Sequence, residues 1–132
     1  MVHEVEKTVE EWRKVLTRKQ YHVLREKGTE LAFGNEYWNN KKKGNYRCAG
    51  CGNILFSSKD KYDSGTGWPS FSKPVSEERV EYETDKTLGV ERTEVHCSRC
   101  GGHLGHVFDD GPAPTGKRFC MNSTSLKFEE DE

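Results

Sequence analysis

Over the first thirty residues apolar side chains recur three and four apart: Val5 with Val9, Trp12 with Leu16, Tyr21 with Leu24. That spacing puts each pair on one face of a helix. Thr8 with Glu11 and Thr17 with Gln20 have capping-box spacing, so residues 1–30 are expected to form two short helices on the rim of the domain. Gly28 suits the end of the second helix. From about Tyr46 the pattern changes to short apolar stretches broken by glycine-bearing turns, with strands expected at 44–48, 53–57, 78–84, 89–96, 106–108 and 118–127. In Val80-Glu81-Tyr82-Glu83 and from Val90 to Val95, apolar and polar residues partly alternate, as in half-buried antiparallel strands. No linker divides the chain and nothing repeats apart from a Cys-x-x-Cys pair, so one domain over 1–132 is expected.

Composition adds a constraint. Of 132 residues, 32% are hydrophobic and 33% charged, so the core is thin and a further source of stability is expected. A net charge of −1 removes the basic excess on which nucleic-acid binding depends. Lys41, Lys42 and Lys43 read as a solvated turn, and Glu129 to Glu132 as a flexible acidic tail. No apolar run approaches the roughly 18 residues of a membrane span. The opening lacks the apolar segment of a secretion signal, so a reducing cytoplasmic setting is expected.

The five cysteines divide four and one. Cys48 with Cys51 and Cys97 with Cys100 form two Cys-x-x-Cys pairs, each followed by glycine. A two-residue spacer turns two thiolates toward one ion, and two such turns suit a closed tetrahedral Zn²⁺ site, one ion per chain with a structural role. The pairs lie far apart in sequence, so the metal would join distant parts of the fold and its binding energy would become folding energy. Two disulfides, a thioredoxin-like redox pair and an iron–sulfur cluster are the competing readings. Cys120 stands alone. Arg118 and Asn122 lie two residues to either side, on the same face of a strand, where a guanidinium favours thiolate and an amide could steady an oxyanion. A lone cysteine can equally be a buried apolar residue.

Several strings together resemble one family, the B-type methionine sulfoxide reductases. They are Ser64-Gly65-Thr66-Gly67-Trp68-Pro69-Ser70-Phe71, His103-Leu104-Gly105-His106-Val107-Phe108 with Asp110-Gly111-Pro112, and Arg118-Phe119-Cys120-Met121-Asn122-Ser123. The two cysteine pairs and the opening Gln20 to Arg25 through Gly28-Thr29-Glu30 also match, so the likeness runs over roughly residues 10 to 128. It implies a mainly β fold of two antiparallel sheets with short N-terminal helices, stapled by zinc. It also implies an enzyme of protein repair that returns methionine (R)-sulfoxide in peptides and proteins to methionine. Cys120 would attack the sulfoxide sulfur and emerge as a sulfenic acid. By the resemblance His103 is the first choice for the acid that protonates the departing oxygen, with His106 organising it. Arg118 and Asn122 would set the electrostatics, and Asp110 would orient Arg118 or a histidine. Trp68, with Phe108 or Phe119, would wall the substrate methyl group.

One position departs from many members of that family. Thr66 stands where they carry a recycling cysteine, which implies a one-cysteine cycle in which thioredoxin, glutaredoxin or a small thiol reduces Cys120 directly. No obligate interface is evident, and a monomer is expected. The alternative is a zinc module that binds a partner through the Trp68 loop without catalysis. Cys120, His103, Arg118 and Asn122 are the set such a module has no reason to assemble.

Overall fold

A computed structural model describes residues 3–86 and 89–131; the readings made for Met1, Val2 and Glu132 lie outside them. Both capping boxes form. Thr8 accepts from the Glu11 N–H while the Glu11 carboxylate accepts from the Thr8 N–H, opening α1 (Val9–Val15); Thr17 and Gln20 do the same for α2 (Arg18–Glu26). Each box satisfies donors that the first helical turn leaves free. Trp12 and Leu16 are buried, with the Arg25 guanidinium 4.7 Å from the Trp12 ring. Val9 is 55% exposed. Its expected partner Val5 precedes the helix, its N–H bonded to the Arg99 carbonyl, so no helical face unites them. α2 ends on Lys27 in the left-handed conformation, φ 58°, one residue before Gly28. A Cβ at Gly28 would lie 2.3 Å from His22 Cδ2, so the exposed His22 ring would have to swing aside to admit one.

The strands are β1 (Gly44–Cys48), β2 (Ile54–Ser57), β3 (Lys61–Tyr62), β4 (Ser70–Phe71), β5 (Val80–Asp85), β6 (Arg92–Cys97), β7 (His103–Phe108), β8 (Arg118–Met121) and β9 (Leu126–Glu130). They form two antiparallel sheets, in the orders β2-β1-β9 and β3-β4-β8-β7-β6-β5. The expected fold class holds: mainly β, two antiparallel sheets, short N-terminal helices. One buried cluster lies between them. Phe56 stacks on Phe71 at 4.4 Å, and Tyr46 meets Phe71 edge-on at 5.1 Å, joining the sheets through aromatic contact.

The structure departs from the pattern in several places. The expected strand 118–127 is two strands in different sheets, separated by a 3-10 turn at Ser123–Ser125. Hydrogen bonds from Ser123 and Thr124 to the Glu30 carboxylate turn the chain there. The acidic end is no free tail as far as it is described: Glu129 and Glu130 pair with Asn45 and Gly44, and Arg47 bonds the Glu129 carboxylate at 3.0 Å. β6 begins at Arg92 rather than 89, and Val90 is exposed. β3 and β4 are too short to show any period. Lys41, Lys42 and Lys43 are exposed, as a solvated turn requires.

Candidate active site and candidate metal centre

β8 runs between β4 and β7, with Ser70 paired to Cys120 on one side and His106 on the other. Strand alternation turns Arg118 and Cys120 to one face and buries Phe119 and Met121 on the other. Gly105 lets the strands meet closely, since a Cβ there would stand 2.1 Å from the Cys120 carbonyl. Over Cys120 opens a cleft of about 340 Å³. Trp68 and Phe108 supply apolar walls; His106, Arg118 and Asn122 supply polar ones. Thr29, which the sequence carried only as part of the opening string, and Arg92, which it did not single out, also line it.

The two candidate wall phenylalanines part company. Phe108 lines the cleft, with the Arg118 guanidinium 4.3 Å from its ring centroid. Phe119 is 3% exposed and packs in the core against Phe56 at 5.8 Å. Its place on the substrate wall is therefore corrected: one residue from Cys120 on a strand is the opposite face.

The histidines also occupy different environments. His106 lines the cleft and its Nε2 is 2.9 Å from Asp85, which also accepts from Arg92 at 3.1 Å. His103, its ring centroid 5.5 Å from that of His106, is 3% exposed and is not part of the cleft lining. Its Nδ1 is 2.6 Å from Glu94, a carboxylate 1% exposed that also meets His96 at 2.9 Å and the Lys27 ammonium at 3.3 Å. Burial alone would push the Glu94 carboxyl up, but the hydrogen bond with His103 and the close approach of His96 take it well below the usual carboxylate range. His96 is raised by the Glu94 carboxylate beside it. His106 is pushed down, first by burial and then by Arg92, against the upward pull of Asp85. Nothing in the local sequence marks Glu94, because its burial comes from elements distant in the chain.

Asp110 holds Arg118 through two bonds, 2.8 and 3.1 Å. Arg118 draws the Cys120 thiol down, as its position predicts, yet burial outweighs it and the thiol lies above its ordinary value. Asn122 is buried, its amide donating to the Leu104 carbonyl and its oxygen accepting from the Glu30 N–H. The Glu30 carbonyl accepts from Trp68 Nε1 at 3.1 Å while its carboxylate takes Ser123 and Thr124. Glu30 thus ties together the aromatic wall and Asn122. The sequence carried it only as part of the opening string.

At the other end of the sheets, Cys48 closes β1 and Cys97 closes β6, with Cys51 and Cys100 in the turns that follow. The four sulfurs lie within 4.8 Å of one another; Cys48 is 3.7 Å from Cys100 and Cys51 is 3.5 Å from Cys97. Four sulfurs about 2.3 Å from a tetrahedral ion would stand about 3.8 Å apart, so the quartet fits a metal. Gly50 N–H and Asn53 Nδ2 point at Cys48 and Cys97, at 3.4 and 3.5 Å, as donors to thiolate should. None of the five cysteines is joined in a disulfide, and the four clustered sulfurs stand at the spacing of ligands to one ion. Among the described residues no helix is long and apolar enough to cross a membrane.

Comparison with known proteins agrees with this arrangement. The SelR domain model matches residues 16–130. A peptide methionine sulfoxide reductase MsrB of Leptospira interrogans is 56% identical over 131 residues, 99% of this chain and all of that protein. The protein of the same name from Methanosarcina barkeri is 60% identical over 128 residues, 97% of this chain and 90% of the relative. Another, from Thiobacillus denitrificans, is 57% identical over 122 residues, 92% of each. Matched from α2 to β9 and alike to such relatives along nearly its whole length, the chain belongs to the SelR family of methionine sulfoxide reductases.

Proposed function

We infer that this protein is a thiol-dependent peptide-methionine (R)-S-oxide reductase with Cys120 as its nucleophile. The observation that carries this reading is the half-buried Cys120 at the floor of a cleft walled by Trp68 and Phe108. That cleft is separate from the four clustered sulfurs. The Cys120 sulfur attacks the sulfoxide sulfur and forms a sulfur–sulfur bond, while the sulfoxide oxygen is protonated and leaves as water. Water then adds to the Cys120 sulfur and loses a proton, the sulfur–sulfur bond breaks with its electron pair going to methionine, and Cys120 is left as a sulfenic acid. One external thiol then displaces water to form a mixed disulfide, and a second thiol releases Cys120.

The proton comes from the histidine pair. His106 lines the cleft, which favours it as the group that reaches the departing oxygen. His103, first choice by resemblance, stands beside it on Glu94 and completes the relay. Arg118, held by Asp110, stabilises charge on sulfur, and Asn122 braces the cleft floor. Trp68 and Phe108 hold the methyl group by sulfur–aromatic contact and exclude water. Fixing methyl, oxygen and nucleophile in three directions selects the R epimer.

Zinc is the ion proposed for Cys48, Cys51, Cys97 and Cys100: four thiolates in a closed tetrahedron suit it, and it would supply folding energy rather than chemistry. Thr66 leaves no spare thiol beside Cys120, so the reductant is external (thioredoxin, glutaredoxin or a small thiol). Free thiols fit a reducing cytoplasmic compartment, and a monomer is sufficient for the site.

The test incubates the protein with dithiothreitol and each epimer of a methionine-sulfoxide peptide. The R epimer should be reduced, the S epimer left, and Cys120→Ser should lose the activity while keeping its fold and metal. Reduction undiminished in Cys120→Ser would sink the reading. An intramolecular disulfide to Cys120 after one turnover would remove the one-cysteine cycle alone.

A further inference from the structure

A chain of hydroxyls leads from Cys120 into the protein. Thr66 Oγ1 is 4.0 Å from Cys120 Sγ, Ser64 Oγ is 2.8 Å from Thr66 Oγ1, and Ser70 Oγ is 2.7 Å from Ser64 Oγ. Ser70, fully buried, donates to the Trp68 carbonyl at 3.2 Å. Each hydroxyl owns one hydrogen, so this last bond orders the others. The carbonyl only accepts, so Ser70 must accept from Ser64. Ser64, its hydrogen committed, accepts from Thr66. Thr66 is left as an acceptor, and the Cys120 S–H is its donor. The Thr66 and Trp68 N–H groups point at the second lone pairs of Ser64 Oγ and Thr66 Oγ1, both at 3.4 Å.

Ionisation of Cys120 inverts the demand. A thiol is a weak donor, whereas a half-buried thiolate is a strong acceptor. The three hydroxyls can turn over together, each keeping its own hydrogen while the thiol proton leaves through the cleft. Thr66 then donates to sulfur, Ser64 to Thr66 and Ser70 to Ser64, and the Trp68 carbonyl loses one neutral hydrogen bond. The charge-assisted bond gained outweighs the neutral one given up.

We propose that Thr66, Ser64 and Ser70 form a reversible hydrogen-bond relay that stabilises the Cys120 thiolate, with Thr66 touching the reacting sulfur and the two serines as positioning residues. The proposal rests on the functional reading above only for the role of Cys120. The other charged or titratable groups near this sulfur are Arg118 with its partner Asp110, His106 on β7 with Asp85 and Arg92, Glu30 after α2 and Tyr62 on β3. Changes at positions 64 and 66 leave all of them in place.

The experiment follows alkylation of Cys120 by iodoacetamide against pH, read by mass spectrometry on the Cys120 peptide of the full chain. Thr66→Val should move the midpoint up by about 0.5–1 pH unit, Ser64→Ala should move it less in the same direction, and Thr66→Ser should match the parent protein. Unmoved midpoints in Thr66→Val and Ser64→Ala, with the near-ultraviolet circular dichroism preserved, overturn the relay. So does a Thr66→Ser shift as large as that of Thr66→Val, which would trace the effect to packing. If Thr66→Val does not fold, an unmoved midpoint in Ser64→Ala overturns the proposal by itself. Alkylation needs no sulfoxide, so the expected shifts in a protein inert to both epimers would sink the functional reading and leave the relay standing.

Discussion

Cys120 and Phe119 are neighbours in sequence with opposite fates, and their separation is testable. Phe119→Ala should cost about 3–5 kcal/mol of stability, measured by urea unfolding, because it opens a cavity in the shared core. Phe108→Ala should cost far less stability and raise KM for the sulfoxide, since its ring faces the cleft. Glu94 makes a prediction in pH. Its carboxyl lies below the usual range in the folded chain, so the stability it contributes is full above the unfolded value of about 4.3 and is lost as pH falls below it. Glu94→Gln should be less stable at neutral pH, by about 1–3 kcal/mol, and should lose less on acidification between about pH 4.5 and 3. Equal acid sensitivity in both proteins would show that this network does not govern acid unfolding.

Single elements differ in how far they can be read locally. The two capping boxes are legible because both partners lie within one turn, and the structure forms them as spaced. Thr8→Ala and Thr17→Ala should each lower stability by about 1 kcal/mol, read as a shift in the thermal midpoint. The junction after β8 is not legible. Asn122 to Ser125 are four polar residues with no glycine or proline to mark a break, yet the chain leaves one sheet for the other there. What turns it is the Glu30 carboxylate, more than ninety residues away in sequence. The same contacts fix Asn122 and, through the Glu30 carbonyl, Trp68, so the element boundary and the site geometry have one cause.

The whole molecule is two sheets joined by aromatic rings at the centre and by four clustered sulfurs, Cys48 and Cys51 from the end of β1 and its turn in the smaller sheet, Cys97 and Cys100 from the end of β6 and its turn in the larger. Removing the ion proposed for this quartet with a chelator should forfeit folding energy on the order of 10 kcal/mol. At roughly 4 °C per kcal/mol for a chain of this size, the thermal midpoint should fall by tens of degrees. An unchanged midpoint in metal-free protein would separate the quartet from the stability of the fold. Sequence alone determined the helices, most strands, the four-and-one division of the cysteines and the family, because each is written in spacing over a few residues or in contiguous strings. Only tertiary structure decided which phenylalanine faces the cleft, which histidine lines it, that Glu94 is buried beneath it, and that Ser64 and Ser70 stand in line with Thr66. Those outcomes depend on which surfaces cover a residue and how close distant segments approach, and burial and hydrogen-bond partners of that kind have no period in the chain.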